Sequence, residues 1–277
     1  MKKSYKVKQL QEKANIIRQD IIKMLAEAGS GHSAGSLGLA DIFVALYFNI
    51  LNHDPKKPKW EKRDRLCLSN GHVVPVRYAA MARSGYFSIS KLKTLRKLGS
   101  PLQGHPSYHD FPALEHSSGP LGQGVSVAVG MALAAKLKKQ KHFVYCITSD
   151  GEHNEGQTWE AVMAAAKYKL DNLIFIVDRN MIQIDGFTKN IMPLNNLYEK
   201  YQAFKWHVQQ IDGNDMKQIL KSIEKAKQIK NKPKVIIAHT IPGKGVSFME
   251  NKWQWHGKVP SEIEAERALK ELQGALK

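Results

Sequence analysis

Cysteine is nearly absent: Cys67 and Cys146 are the two in 277 residues, and both lie in apolar runs. That excludes a disulfide framework and cysteine-based zinc spacing, and predicts buried, reduced thiols. No stretch reaches the ~18 consecutive apolar residues of a membrane span. The basic start Met1-Lys2-Lys3 is followed by no uninterrupted apolar segment, so it does not read as a secretory signal. A cytoplasmic protein with no membrane partner is the expectation. Internal repeats, low-complexity linkers and composition breaks are also missing, so residues 1–277 are expected to form one domain, large enough for a full core. Negative charge is the other shortage, with 25 Asp+Glu against 42 Lys+Arg and a formal net charge of +17. Such an excess can serve nucleic-acid binding. Here, however, the basic residues are scattered, mostly Lys, and not interleaved with exposed aromatics. The runs Lys136–Lys141 and Lys225–Lys234 flank predicted helix ends, where cations are ordinary. They read as a solvated surface, and nucleic acid is not an expected partner.

What is present is an α/β pattern. Apolar residues at Leu10, Ala14, Ile17, Ile21, Met24 and Leu25 predict an amphipathic helix over 7–28, ended by Gly29-Ser-Gly31. Further helices are predicted over 40–51, 74–84, 90–98, 122–137, 158–168 and 216–229, with the small-residue segment 122–137 closely packed and buried. Arg65–Ser69 reads as a short strand. Phe143–Thr148, Leu173–Val177 and Val235–Ala238 are continuous apolar runs, as expected of parallel strands covered on both faces. The implied fold is α/β: a doubly wound, mostly parallel sheet flanked by helices. An amphipathic helical tail follows from about residue 260.

Two of these strands end in polar residues of one chemical kind. Ser149-Asp-Gly151 follows the first and Asp178-Arg-Asn180 the second. Asp150 and Asn180 both offer oxygen ligands, which suit a hard cation such as Mg²⁺ better than zinc. Gly151 allows the backbone to approach a bulky anion just before a helix starts. A metal-bridged diphosphate at the carboxyl ends of parallel strands fits this pattern. The competing assignment makes Asp150 a helix cap and Asn180 a turn residue.

The strand–Asp-Gly–helix–strand–Asn arrangement resembles the thiamine diphosphate motif, and the surrounding text resembles transketolase. Five further stretches stand in that family's order: Ser30-Gly-His-Ser-Ala-Gly-Ser-Leu37, Leu68-Ser-Asn-Gly-His72, Leu102-Gln-Gly-His-Pro106, Ser118-Gly-Pro-Leu-Gly-Gln-Gly124 and Trp255-His-Gly257. The resemblance implies a thiamine diphosphate-binding fold, specifically its diphosphate-binding domain. It implies Mg²⁺ held by Asp150, Asn180 and the backbone carbonyl of Ile182, with Ca²⁺ or Mn²⁺ as substitutes. His72, Gly119, Leu121, Asp150, Gly151, Glu152, Asn180 and His256 are the implied cofactor contacts. His32, His105 and His256 would face the reacting atoms of the sugar, as imidazoles able to move protons near neutral pH. Glu155 and Glu160 would join a carboxylate network between two active sites of a dimer, where close acids share protons. Ser149 stands where the family usually has Gly, and Val73-Val74 replace smaller residues. A lone His, or a lone Glu on a helix, has structural readings as well, and His116 belongs to this group less securely.

A transketolase polypeptide is usually more than twice this long, and the activating Glu lies on a separate pyrimidine-binding domain. The resemblance therefore implies the N-terminal subunit of a split transketolase. Its partner would be a C-terminal subunit carrying that domain, in an α2β2 heterotetramer acting on sugar phosphates. A basic chain suits such anionic substrates and an acidic partner. Alternatives are another two-subunit thiamine diphosphate enzyme, either a specialised ketol transferase or a 2-oxo-acid dehydrogenase E1, and a non-catalytic basic binding protein.

Overall fold

In a computed structural model, residues 4–275 are described; Met1–Lys3 and the last two residues of the expected domain lie outside that range. The chain runs through α1 (Val7–Ala28), α2 (Ala34–Gly38), α3 (Ala40–Ala45), β1 (Arg65–Leu68), α4 (Val74–Ser84), α5 (Gln123–Leu137), β2 (Val144–Ser149), α6 (Gly156–Lys167) and β3 (Leu173–Arg179). A two-stranded hairpin follows, β4 (Ile182–Gln183) with β5 (Gly186–Phe187). Then come α7 (Thr188–Ile191), α8 (Leu197–Ala203), β6 (His207–Asp212), α9 (Met216–Gln228), β7 (Lys234–His239) and α10 (Glu262–Gly274).

Strands β1-β2-β3-β7-β6 form one parallel sheet in that order. Because successive side chains point to opposite faces, each apolar run divides its residues between two cores. Leu66, Leu68, Tyr145, Ile147, Ile174 and Ile176 pack with apolar residues of α1, α3, α4 and α9. Cys67, Cys146, Leu173, Phe175, Val177 and Ile237 pack on the other face with α5, α6 and α8. Both thiols are buried and free. The register pairs Leu68 with Ile147 and Ser149 with Asp178, so the loops leaving β1, β2 and β3 open at one edge of the sheet.

The predicted helices over 7–28 and 74–84 form with those bounds, and α1 ends at left-handed Gly29. Elsewhere the structure differs from the pattern. Helix begins at Ala34, earlier than expected, and the end of the predicted 40–51 helix widens into π turns over Leu46–Ile50. The segment 90–98 makes only 3-10 turns, Ile89–Thr94, before Arg96 takes a left-handed φ of 61°. Strand β6 has no counterpart among the predicted elements. As an edge strand it is polar and half-buried, so it carries no apolar run. Helix α5 is closely packed only on one side: Val127 and Leu137 are exposed, and an added Cβ at Gly130 would meet open space. The basic run at 225–234 is not wholly solvated either. Lys234 is buried in β7, donates to the Asp171 carbonyl, and is pushed down to about 8 by burial.

Two buried ion clusters brace the helical layer. Arg18 pairs with Asp41, and Glu115 lies between Arg77 and Arg63 at 2.5 Å from each. Burial pushes the Glu115 carboxyl up, but the two guanidiniums outweigh it and hold it below its ordinary value. Glu115→Ala leaves Arg77 with an uncompensated charge and is expected to cost about 3–5 kcal/mol, read as a lower urea midpoint at unchanged m-value. A loss below about 1 kcal/mol would mean that the pair behaves like an exposed one.

Candidate active site

The site is built on the edge where β1, β2 and β3 end. Glu152, in the turn after β2, is fully buried and faces inward. Its Oε1 accepts from the Ser69 hydroxyl at 2.5 Å and from the Gly122 N–H at 2.7 Å; its Oε2 accepts from Thr148 and from the Ser149 N–H. Burial raises its carboxyl and these donors oppose the rise. The Glu152 side chain joins the end of β1, the end of β2 and the start of α5. Gly122 takes a φ of +81°, and any Cβ on Gly124 would overlap the Ser69 backbone at 2.7 Å. Glycine at these two positions is what allows α5 to sit against β1.

Asp150 is 1% exposed. Its Oδ1 accepts from the Gly151 N–H at 2.8 Å; its Oδ2 accepts from the Met181 N–H at 2.8 Å and pairs with Arg179 at 3.2 Å. Burial raises its carboxyl to about 6 against those partners. Met181 is left-handed, φ 66°, and the reversal it makes brings Asn180, Met181 and Ile182 back under Asp150. Asn180 Oδ1 accepts from the Ile182 N–H at 3.1 Å, and its Nδ2 donates to Asp178 at 2.8 Å. Asp178 also accepts from Thr240; burial is the main cause that lifts its carboxyl to about 7, and Asp150 adds to it. The structure thus brings Asp150, just after β2, against the Asn180–Ile182 turn that follows β3. A carboxylate, an amide oxygen and a backbone carbonyl are the oxygen set that a hard cation takes. A buried carboxylate with Arg179 as its cationic partner and the acid Asp178 close by would gain from such a charge, so the residues fit a Mg²⁺-bridged diphosphate.

Three histidines meet at the same edge. The rings of His32 and His72 are 4.9 Å apart, His72 and His256 5.2 Å, and His32 and His256 5.6 Å. Each comes from a different loop. Ser33 Oγ donates to the Lys258 carbonyl at 2.7 Å and ties the first loop to the third. Burial, followed by His256 and Arg96, lowers His32 to about 4, and burial likewise lowers His72, His105 and His256. Neutral imidazoles can both accept a proton and donate a hydrogen bond. His105 is exposed, its ring 3.7 Å from the place where a Cβ on Gly119 would sit. Leu121 is half-buried on the same loop.

The structure does not gather every expected residue. Glu155 and Glu160 are exposed on a single chain, and Glu155 lies against the glycine loop, where a Cβ added to Gly122 would come within 2.8 Å of its Cβ. His116 binds the Ser117 carbonyl at 2.7 Å beside Glu115. Other residues carry no clear mark in the sequence. Asp178 orients Asn180. Asn70 and Ser118 leave buried polar atoms without partners at the edge of the site. Arg96 lies against Gly104, where an added Cβ would come within 2.6 Å of its guanidinium carbon, and it makes no ion pair among the described residues. The one available signal is position: Asn70 and Ser118 fall inside the quoted motifs, and Asp178 and Asn180 share a strand end.

A two-faced parallel sheet with an oxygen-rich turn and a histidine cluster at its carboxyl edge defines an α/β domain of the kind that binds its ligand outside the strand ends. Comparison with known proteins agrees. Residues 9–274 match the family described as "Transketolase, thiamine diphosphate binding domain". The chain is 44% identical to the 6-deoxy-6-sulfo-D-fructose transketolase subunit of Clostridium sp. (strain MSTE9), covering 95% of this chain and 96% of that one. It is 40% identical to an apulose-4-phosphate transketolase subunit of Phocaeicola vulgatus, covering 95% and 93%. The crystal structure of transketolase from Campylobacter jejuni superposes with a TM-score of 0.92 at 38% identity, over 97% of this chain but 43% of that one. The chain belongs to the transketolase family, as its N-terminal, thiamine diphosphate-binding domain.

Neutral histidines make a specific prediction. The unfolded chain binds a proton at His32 near 6.5, whereas the folded chain does so only near about 4. The stability contribution of this group is therefore full above pH 6.5 and is lost as pH falls through about 4. Imidazole ¹⁵N shifts of the free chain should show His32 neutral at pH 5.5; a midpoint at the ordinary histidine value would overturn the buried-cluster assignment.

Proposed function

We propose that this chain is the N-terminal subunit of a split, Mg²⁺-dependent transketolase that moves a two-carbon ketol unit from a ketose phosphate to an aldose phosphate. The observation that carries the reading is a match in length joined to a site at one sheet edge. The Asp150 loop and the histidine cluster sit together where β1, β2 and β3 end, while the chain spans 43% of a one-chain transketolase and 96% of a relative named as a transketolase subunit. A second subunit with a pyrimidine-binding domain would close the cleft. Thiamine diphosphate, when bound, supplies the electron sink for carbon–carbon cleavage. This chain's residues do the rest of the work assigned to it: Asp150, Asn180 and Ile182 hold the metal and through it the diphosphate. His72, His256, Gly119, Leu121 and Gly151 shape the cofactor's bed. His32, His105 and His256 bind sugar hydroxyls and transfer protons there.

An exposed apolar strip on α5 and α6, with Val127 at 38% and Met163 at 51% exposure, runs beside Glu155 and Glu160. It supports pairing of two copies, which would bury these carboxylates and assemble an α2β2 enzyme. Among the described residues no helix is long and apolar enough to cross a membrane, in keeping with a cytoplasmic setting. Donor and acceptor sugars divide into two readings. One is the pentose-phosphate reaction. The other is a specialised ketol transfer, favoured by the names of the two same-length relatives, which specify a sulfofructose and apulose 4-phosphate.

Turnover should be absent for this chain alone and present when it is mixed with its partner subunit, thiamine diphosphate, Mg²⁺ and a ketose–aldose pair. Full activity of the isolated chain would refute the split reading. Asp150→Ala and Asn180→Ala should each weaken Mg²⁺-dependent cofactor binding about 10–100-fold in the assembled enzyme. Calorimetry showing wild-type cofactor affinity in both variants would sink the metal assignment.

A further inference from the structure

A cavity of about 750 Å³ lies at the opposite end of the sheet, where β1 and β2 begin. Its walls come from the loop before β1, the turn after α5 and the last turn of α9. Two features make it a formed hollow. Asp64 accepts from the Asn52 N–H and from the Phe143 N–H, both at 2.9 Å, and so fixes the two walls to each other. Arg63 donates to the Pro58 carbonyl at 2.6 Å and closes the loop behind Trp60. The size is that of an ordinary small-molecule site.

The lining is basic and aromatic. Lys62, Lys139 and Lys141 converge on it and form no ion pair among the described residues, and Lys227 adds a fourth ammonium, partnered with Glu224 at 3.1 Å. Opposing them are Asp64, whose two oxygens are already occupied by backbone N–H groups, and Glu61. Trp60, 37% exposed, and Phe143 supply flat apolar surface. His142 also lines the hollow, is 8% exposed, and leaves its Nδ1 without a hydrogen-bond partner among the described residues. A buried ring nitrogen left unpartnered is costly unless something else satisfies it.

We propose that this cavity is a second ligand site, for an organic phosphate of mononucleotide size. Its phosphate is held by Lys62, Lys139 and Lys141, and its ring is placed against Trp60 and Phe143. Point-charge ammoniums suit a phosphate, and an aromatic wall suits a heterocycle. The site is independent of the thiamine diphosphate cleft, because none of its residues belongs to that edge of the sheet.

The test uses AMP as probe against the full chain, by calorimetry, with thiamine diphosphate and Mg²⁺ present in excess. One AMP per chain should bind, and Lys62→Glu and Lys141→Glu should each weaken it about tenfold or more. Trp60→Ala should weaken AMP while leaving any binding of inorganic phosphate unchanged. Asp150→Ala should leave AMP binding intact, which separates this site from the catalytic cleft. The proposal is overturned by no AMP binding at millimolar concentration, by binding indifferent to both lysine variants, by inorganic phosphate binding as tightly as AMP, or by AMP displaced by thiamine diphosphate.

Discussion

The arrangement of the half-site depends on one buried carboxylate. Glu152 reaches Ser69 at the end of β1, Thr148 and Ser149 at the end of β2, and the Gly122 N–H at the entry to α5. The loops that leave these points carry His72, Asp150 and Gly119–Leu121, so the spacing between histidine, Asp150 and glycine loop is set from behind. Without a countercharge nearby, Glu152 is held by hydrogen bonds alone, and fully satisfied networks of this kind are what fix a single geometry. The Met181 turn does the same for the third strand: a left-handed backbone and one N–H bond to Asp150 keep Asn180 beside it.

Much of this is legible from the residues, for physical reasons. The apolar runs ending at Thr148 and Val177 are continuous because both faces of their strands are covered, and such runs report a central parallel strand directly. Helix α1 shows its stripe because one side packs on α3, α4 and α10. Strand β6 is silent because an edge strand needs no apolar continuity. The 3-10 segment before Arg96 reads as helix because its composition suits either form. In the site, Asp150, Asn180 and the motif histidines stand out because each lies beside a glycine or at a strand end. Glu152 is recognisable as a position but not for its role. A carboxylate one residue after Asp-Gly gives no sign of which way it turns, and only the packing of α5 on β1 decides it. Asp178 acts through register with β2 and β7, which no local pattern carries.

The net charge of +17 is distributed in a way that composition cannot convey. A few cations are internal partners, as with Arg77 and Arg63 around Glu115. Lys234 is buried against the Asp171 carbonyl. At the edge where β1, β2 and β3 end, burial lowers the histidines toward their neutral form, and Arg96 brings a guanidinium beside His32. At the Asp150 turn the near cation is Arg179, 3.2 Å from the carboxylate.

Cys67 and Cys146 stand opposite each other in register on β1 and β2, under helix α5. Burial drives both thiols far above their ordinary ionisation range, and thiolate is the form that reacts. The native chain is in effect silent toward alkylating and maleimide reagents while folded. A cysteine introduced anywhere on its surface would be the one reactive sulfur, so fluorophores or spin labels could be placed without first removing the natural pair and disturbing the sheet they help to fill.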